Sequence, residues 1–471
     1  MFYYKHTSRL TFILSVDIIL KIKGGIFLEK LIKSVDKYRQ LILDTERYIW
    51  KNPETGYKEF KTTKYLAKKY EELGYKLTYA ENITGFYTTI DTGRKGPTVM
   101  ILGELDSVIC QSHPESDPVT GAVHSCGHHA QSATLLGIAG ALTERGVLDK
   151  LSGKIKLCAV PAEELLEIEY RQGLIEKGVI KYMGGKTEFL YRGYFDDVDL
   201  AFMVHTDTDD GFSIIEGNIG CIAKKITYKG VSAHAGGSPW RGKNALYAAT
   251  NGLNAVNALR ETFKECDLIR FHPIITKGGS MVNAIPEEVT IESYVRGASF
   301  DAIKQANTRI NQALCGSALS IGCSIDIEDT PGYAPNANNK RFIEVCKTAF
   351  ETTFPEKELK YNPRLSTDST DMGDLSCVMP TIHPYAPGAK GTCHGNNYYL
   401  VNPELACRDN AKFQLALLFM LLENGAEKAK EIIDNYDTPF KSKKEFLDYI
   451  DLLNHKGDRI HYNENSAVID L

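Results

Sequence analysis

The chain has 471 residues, 43% of them apolar and 24% charged, with a formal charge of -5. That length exceeds what one hydrophobic core usually serves, so at least two domains are expected. The weak negative balance gives no electrostatic basis for binding nucleic acid or an anionic membrane surface, and neither is expected as a partner.

Eleven cysteines without paired spacing argue against a disulfide framework and for a reducing, cytoplasmic setting. Near the start, Leu10 to Leu20 is apolar but interrupted by Asp17. It falls short of the ~18 residues that span a bilayer. No small-residue cleavage site follows at Lys21 to Gly25. Residues 1–28 therefore read as an N-terminal extension rather than as a signal or an anchor.

From Leu28 to Asn52, apolar residues recur at helical spacing (Leu31, Ile32, Val35, Tyr38, Leu41, Ile42, Ile49). Pro53 and Gly56 end that helix, and a second is expected over Lys61–Leu73, stopped by Gly74. Strands follow in TGFYTTIDT, TVMILGEL and KIKLCAVPA. A helix from His129 to Gly146 connects the last two, which makes a helix-connected α/β core. From Ile214 the pattern changes to strand, helix, two strands, helix and strand, the ferredoxin-like order. This predicts a small domain over 216–331 inserted between two parts of a catalytic domain, 29–215 and 332–471. The tail after Tyr436 is polar and uninformative.

The chemistry gathers at strand ends. After VMILGEL come His124, Ser125, Cys126, Gly127, His128 and His129, leading into a helix with small and apolar spacing. Open α/β sheets place their sites outside the carboxyl ends of strands. Cys126 and His128, two apart on one loop, suit zinc and similar divalent ions. Glu163 and Glu164 follow the strand KIKLCAV, and as neighbours they point to different sides. One can ligate metal while the other remains free to take a proton. His205 ends another strand-like run, and His394 lies in a turn-rich segment, Gly391 to Gly395.

In order along the chain stand LGELDSV, TGAVHSCGHHAQ, PAEE, AFMVH, KGVSAHA, GGSMVNAIP with Arg296, TDSTDMGDLS and GTCHG. This series resembles the metal-dependent aminoacylase/carboxypeptidase family of metallopeptidases over about 30–425. Within it, the likeness is to the amidohydrolase branch with N-acyl-amino-acid and aminobenzoyl-glutamate hydrolases. The resemblance implies a peptidase-type α/β catalytic domain with an inserted ferredoxin-like lid or dimerisation domain. It implies two divalent ions per subunit, zinc or manganese, held by Cys126 in the bridging place with His128, Glu164, His205 and His394. Glu163 would be the general base. His234 would stabilise the oxyanion across a homodimer, while Asn283 and Arg296 would hold the carboxylate of a small N-acyl amino acid or dipeptide-like substrate.

Two departures stand out. His129 replaces an Asp common among relatives, and Glu104 stands where the family has Asp or His and is not counted as a ligand. Asp106 is expected to orient a ligand from behind. The stretch 165–197 is longer than simple amidohydrolases need and is placed near the substrate entrance. Two rival readings carry different expectations. One is a metal-independent cysteine hydrolase with Cys126 as nucleophile and His128 or His129 as base. The other is a non-catalytic binding paralogue of the same fold.

Overall fold

The computed structural model describes residues 27–464 and 466–470; most of the expected N-terminal extension, 1–26, lies outside them. The described residues open with helix over 27–34, a tighter 3-10 turn at Val35–Tyr38, and a helix Arg39–Trp50. The continuous helix expected there is thus interrupted. Its apolar face packs on the helix His128–Leu142, which is buried along its whole length, as a helix apolar all round must be. Two glycines permit the close approach: a Cβ on Gly137 would lie 2.5 Å from Ile42 Cδ1, and one on Gly140 2.5 Å from the Tyr38 ring.

The catalytic sheet has six strands in the order Thr78–Tyr79, Phe86–Asp91, Lys154–Val160, Thr98–Glu104, Leu200–Phe202, Thr381–Ile382. The last four run parallel, and Thr98–Glu104 is buried at every position. Such continuous apolar runs are what a sheet covered on both faces requires. Beside it a second five-stranded sheet unites His205–Thr206, Tyr385–Ala386, Ser213–Asn218, Asn336–Ala337 and Lys360–Ser366.

The ferredoxin-like unit has its expected order. Gly220–Lys229 lies between Glu288–Gly297 and Ser324–Pro331, antiparallel to both, and Arg270–Phe271 and Ile274–Lys277 pair with the far side of Glu288–Gly297. Helices Ala245–Leu259 and Phe300–Ile321 share a separate apolar core with this sheet. Asn244 and Ser299 cap them, accepting backbone N–H bonds from Leu246, Tyr247 and Ala302.

The C-terminal tail carries more structure than its composition suggests. After a helix at Lys443–Asp451, the chain crosses to the small unit, where Arg459 N–H donates to Ile325 O at 3.0 Å. A hairpin, Ile460–Tyr462 with Ala467–Ile469, packs on the small unit's core. Residues 455–464 and 466–470 therefore lie along the small sheet, although their place in the sequence groups them with the second catalytic segment. Among the described residues, no helix is long and apolar enough to cross a membrane.

Candidate active site

Every parallel strand of the catalytic sheet delivers a polar group at its carboxyl end. Thr98–Glu104 leads to Glu104 and Asp106, Lys154–Val160 to Glu163 and Glu164, Leu200–Phe202 to His205, and Thr381–Ile382 to His383 and Tyr385. The loop before the buried helix adds Cys126 and His128. Gly127 between them has φ +100, and a Cβ there would meet Tyr398 Oη at 2.7 Å and Thr206 Cβ at 2.8 Å. Only glycine allows the turn that faces both neighbours inward.

The donor atoms converge. Those of Cys126, His128 and His205 lie within 4.8 Å of one another, as do those of Cys126, Cys393 and His394. Cys126 Sγ is 3.4 Å from His205 Nε2, and His394 Nε2 is 3.0 Å from Glu164 Oε1. Two imidazoles are oriented from behind. His205 Nδ1–H donates to Thr206 O at 2.7 Å, and His128 Nδ1–H donates to Asp106 O at 3.0 Å and Oδ1 at 3.1 Å. Each presents Nε2 to the centre, the arrangement that fixes a ligating histidine. His128 Nε2 and Glu164 Oε1 are buried without a well-aligned hydrogen bond. Buried polar atoms left so are costly, and a cation between them removes that cost. The donor set of thiol, imidazole and carboxylate fits divalent metal.

Electrostatics point the same way. Burial opposes ionisation of Glu164, but the His394 and His128 imidazoles outweigh it and hold the carboxyl low. Glu164 in turn raises His394 to about 11. Burial would lower His128, yet Glu104 and Asp106 drive it well above its usual value. Without a metal, the cluster satisfies its carboxylates by protonating imidazoles. Glu163 behaves oppositely: burial first, then the Glu104 and Glu164 charges, push it well above the carboxylate range. Its carboxylate lies 4.0 Å from His128 Nε2.

The Glu163–Glu164 turn is held under strain. Ala162 has φ +57 and His394 φ +60, both in the left-handed region that non-glycine residues avoid. Ala162 N–H donates to Glu59 Oε1 at 2.8 Å, and Glu164 N–H donates to Asp106 Oδ2 at 2.8 Å. The buried Arg171 donates to the carbonyls of Glu164 and Met183. Strained residues persist where the surroundings over-determine them, typically at sites.

Arg296 faces the same cavity of about 470 Å³, which is lined from the catalytic side by Cys126, Glu163, Glu164, His205 and His394. Its Nε–H donates to His272 Nε2 at 3.1 Å and Nη1–H to Ser369 Oγ at 3.1 Å, and it stacks over Tyr294. Nη2 has no protein partner among the described residues. His234 and Asn283 do not line this cavity. Both lie on the small unit, away from its core, joined where Ala235 N–H donates to Asn283 O at 2.9 Å.

Residues 100–418 match the model of peptidase family M20/M25/M40. The chain belongs to this family. Its relatives include the mouse Xaa-Arg dipeptidase, 28% identical over 58% of this chain and 59% of that protein. They also include one of the p-aminobenzoyl-glutamate hydrolase polypeptides of Escherichia coli K12, 27% identical over 64% of this chain and 61% of that protein. The matched region thus spans under two-thirds of either relative's length. The fold is shared with the Bacillus subtilis YXEP protein, a dinuclear metal binding peptidase of the M20 family (TM-score 0.60, 18% identity, 82% of this chain and 99% of that one).

Against this M20 background, two neighbours of the centre escape sequence reasoning. Lys186, in the long 165–197 stretch, is fully buried and bonds Glu104 at 2.5 Å and Asp371 on its other side. Nothing in its local sequence marks it, because the pairing is made by tertiary packing alone. Cys393 sits next to a recognised histidine, and that adjacency is the available signal. His129 turns away from the site, its Nε2 3.4 Å from Glu46 Oε1 and its ring against Trp50.

Proposed function

We propose that this chain hydrolyses the amide bond of an N-acyl amino acid, an aminobenzoyl-glutamate-like conjugate or a related dipeptide. The convergence of Cys126, His128, Glu164, His205 and His394, with His128 Nε2 and Glu164 Oε1 buried without well-aligned hydrogen bonds and Glu163 beside them, carries the reading. Cys126, His128, Glu164, His205 and His394 would hold two divalent ions. Such ions acidify water toward neutrality and polarise the scissile carbonyl.

The rest is done by side chains. Glu163 takes the proton of the attacking water and returns it to the leaving nitrogen, a role suited to a carboxyl whose affinity for protons is raised. The Arg296 guanidinium offers Nη2 to the substrate carboxylate while His272 and Ser369 fix its plane. His234 Nδ1 accepts from Gly236 N–H at 3.2 Å and Gly237 N–H at 2.9 Å. That leaves the proton on Nε2, free to donate to an oxyanion. Its position outside the cavity supports delivery to the site of a second copy in a homodimer, with Asn283 alongside.

The cysteine-hydrolase alternative with His128 or His129 as base is disfavoured: His128 Nε2 lies 3.2 Å from Glu104 Oε2 and His129 Nε2 3.4 Å from Glu46 Oε1, and among the described residues neither ring hydrogen-bonds Cys126. Glu163→Gln is the deciding experiment. It should lower turnover of N-acetyl-amino acids, aminobenzoyl-glutamate and dipeptides by ~10²–10⁴-fold with bound metal, measured by elemental analysis, unchanged. Unchanged turnover would overturn the assignment.

A further inference from the structure

We infer that Cys393 is a second thiolate ligand of the metal centre, and that it makes the Cys126–Cys393–His394 end selective for zinc over manganese. This rests on the metallo-amidohydrolase reading and specifies its metal. Cys393 lies in the turn Gly391–Gly395, where His394 N–H donates to Ser125 O at 2.8 Å and Gly395 N–H to Thr392 O at 2.8 Å. The first of these bonds pins the turn to the loop carrying Cys126, so that Cys393 and His394 reach the same point.

The two sulfurs are 3.9 Å apart. Two thiolates at the usual zinc–sulfur length on one tetrahedral ion lie about 3.8 Å apart. A disulfide needs about 2.05 Å. The donor atoms of Cys126, Cys393 and His394 share one 4.8 Å neighbourhood, and the buried Glu164 Oε1 lies 3.0 Å from His394 Nε2.

A buried cysteine is commonly just a small hydrophobe, and eight of the eleven cysteines here are buried. Cys393 is exposed and lines the active cavity, so core packing does not account for it. Thiolates are soft ligands that suit zinc, whereas manganese prefers carboxylate, carbonyl and water. A second thiolate therefore biases this position away from manganese.

The test uses the full chain stripped of metal and reloaded. Cobalt(II) reports thiolate ligation by its near-ultraviolet sulfur-to-metal absorption. That band should weaken in Cys393→Ser and Cys393→Asp, and vanish only when Cys126 is replaced as well. From an equimolar zinc and manganese mixture, the zinc preference should drop by about tenfold or more in both variants. In the unmutated chain, iodoacetamide should modify Cys393 when metal-free and spare it when zinc-loaded, a readout that needs no variant to fold. Equal alkylation with and without zinc, or an unchanged cobalt band and zinc preference in both variants while two ions still bind, would overturn the role of Cys393 alone. A wild-type chain that binds no divalent ion would overturn the metallo-amidohydrolase reading itself and this inference with it.

Discussion

The strand-end centre and the His234–Asn283 edge of the small unit solve opposite problems. At the centre, charged groups are buried, mutually oriented and held on strained backbone at Ala162 and His394. At the edge, the two hydrogen bonds to the His234 ring among the described residues come from backbone N–H groups to its Nδ1, and its segment bonds Asn283, whose chain neighbour Val282 is fully exposed. A metal centre must be rigid before substrate arrives, because ligand geometry sets affinity. In the proposed function, the His234 donor reaches the reaction from a second copy. Under the proposed reading, one chain supplies the metal-site donors and a second copy completes the site.

The most severe way to break that contrast is to split it between chains. Glu163→Gln and His234→Ala chains, each inactive alone, should regain activity when mixed, because each mixed dimer contains one site with both groups. No recovery, with mixed dimers demonstrated by mass, would place His234 in its own chain's site.

Next in size is the buried charge cluster beneath the centre. Lys186→Met leaves Glu104 and Asp371 buried without their cation and should cost about 3–5 kcal/mol in chemical denaturation. A loss no larger than that of a surface lysine would mean the cluster relaxes.

Arg296→Lys keeps the charge but loses the planar fork, so KM should rise about tenfold with kcat little changed. A fall in kcat with KM unaltered would move Arg296 from binding the ground state to the reaction itself.

The smallest effect concerns Glu59, which burial and the Asp106 charge raise to about 8 from an ordinary 4.5. Between those values the folded chain holds a proton that the unfolded chain has released. Stability therefore falls as pH rises through that window. Glu59→Gln should flatten this part of the thermal-melting profile against pH, and an unchanged slope would assign the dependence to other groups.

Local chemistry and hydrophobic period are written along the chain, and they determined much of this protein. The alternation from Ile214 onward already spelled the ferredoxin-like order, and the cysteine, histidine and glutamate motifs already stood at strand ends. Short-range rules suffice there because a strand end and the loop after it are set by neighbouring residues. Long-range juxtaposition was not legible. Lys186 meets Glu104 and Asp371 across 82 and 185 positions, and Cys393 meets Cys126 across 267. The crossing of residues 455–464 and 466–470 to the small sheet was equally hidden, because a polar tail carries no periodicity that names its partner. Only the tertiary structure decided these, since burying a charge or aligning two thiols depends on what several distant elements leave unfilled when they pack.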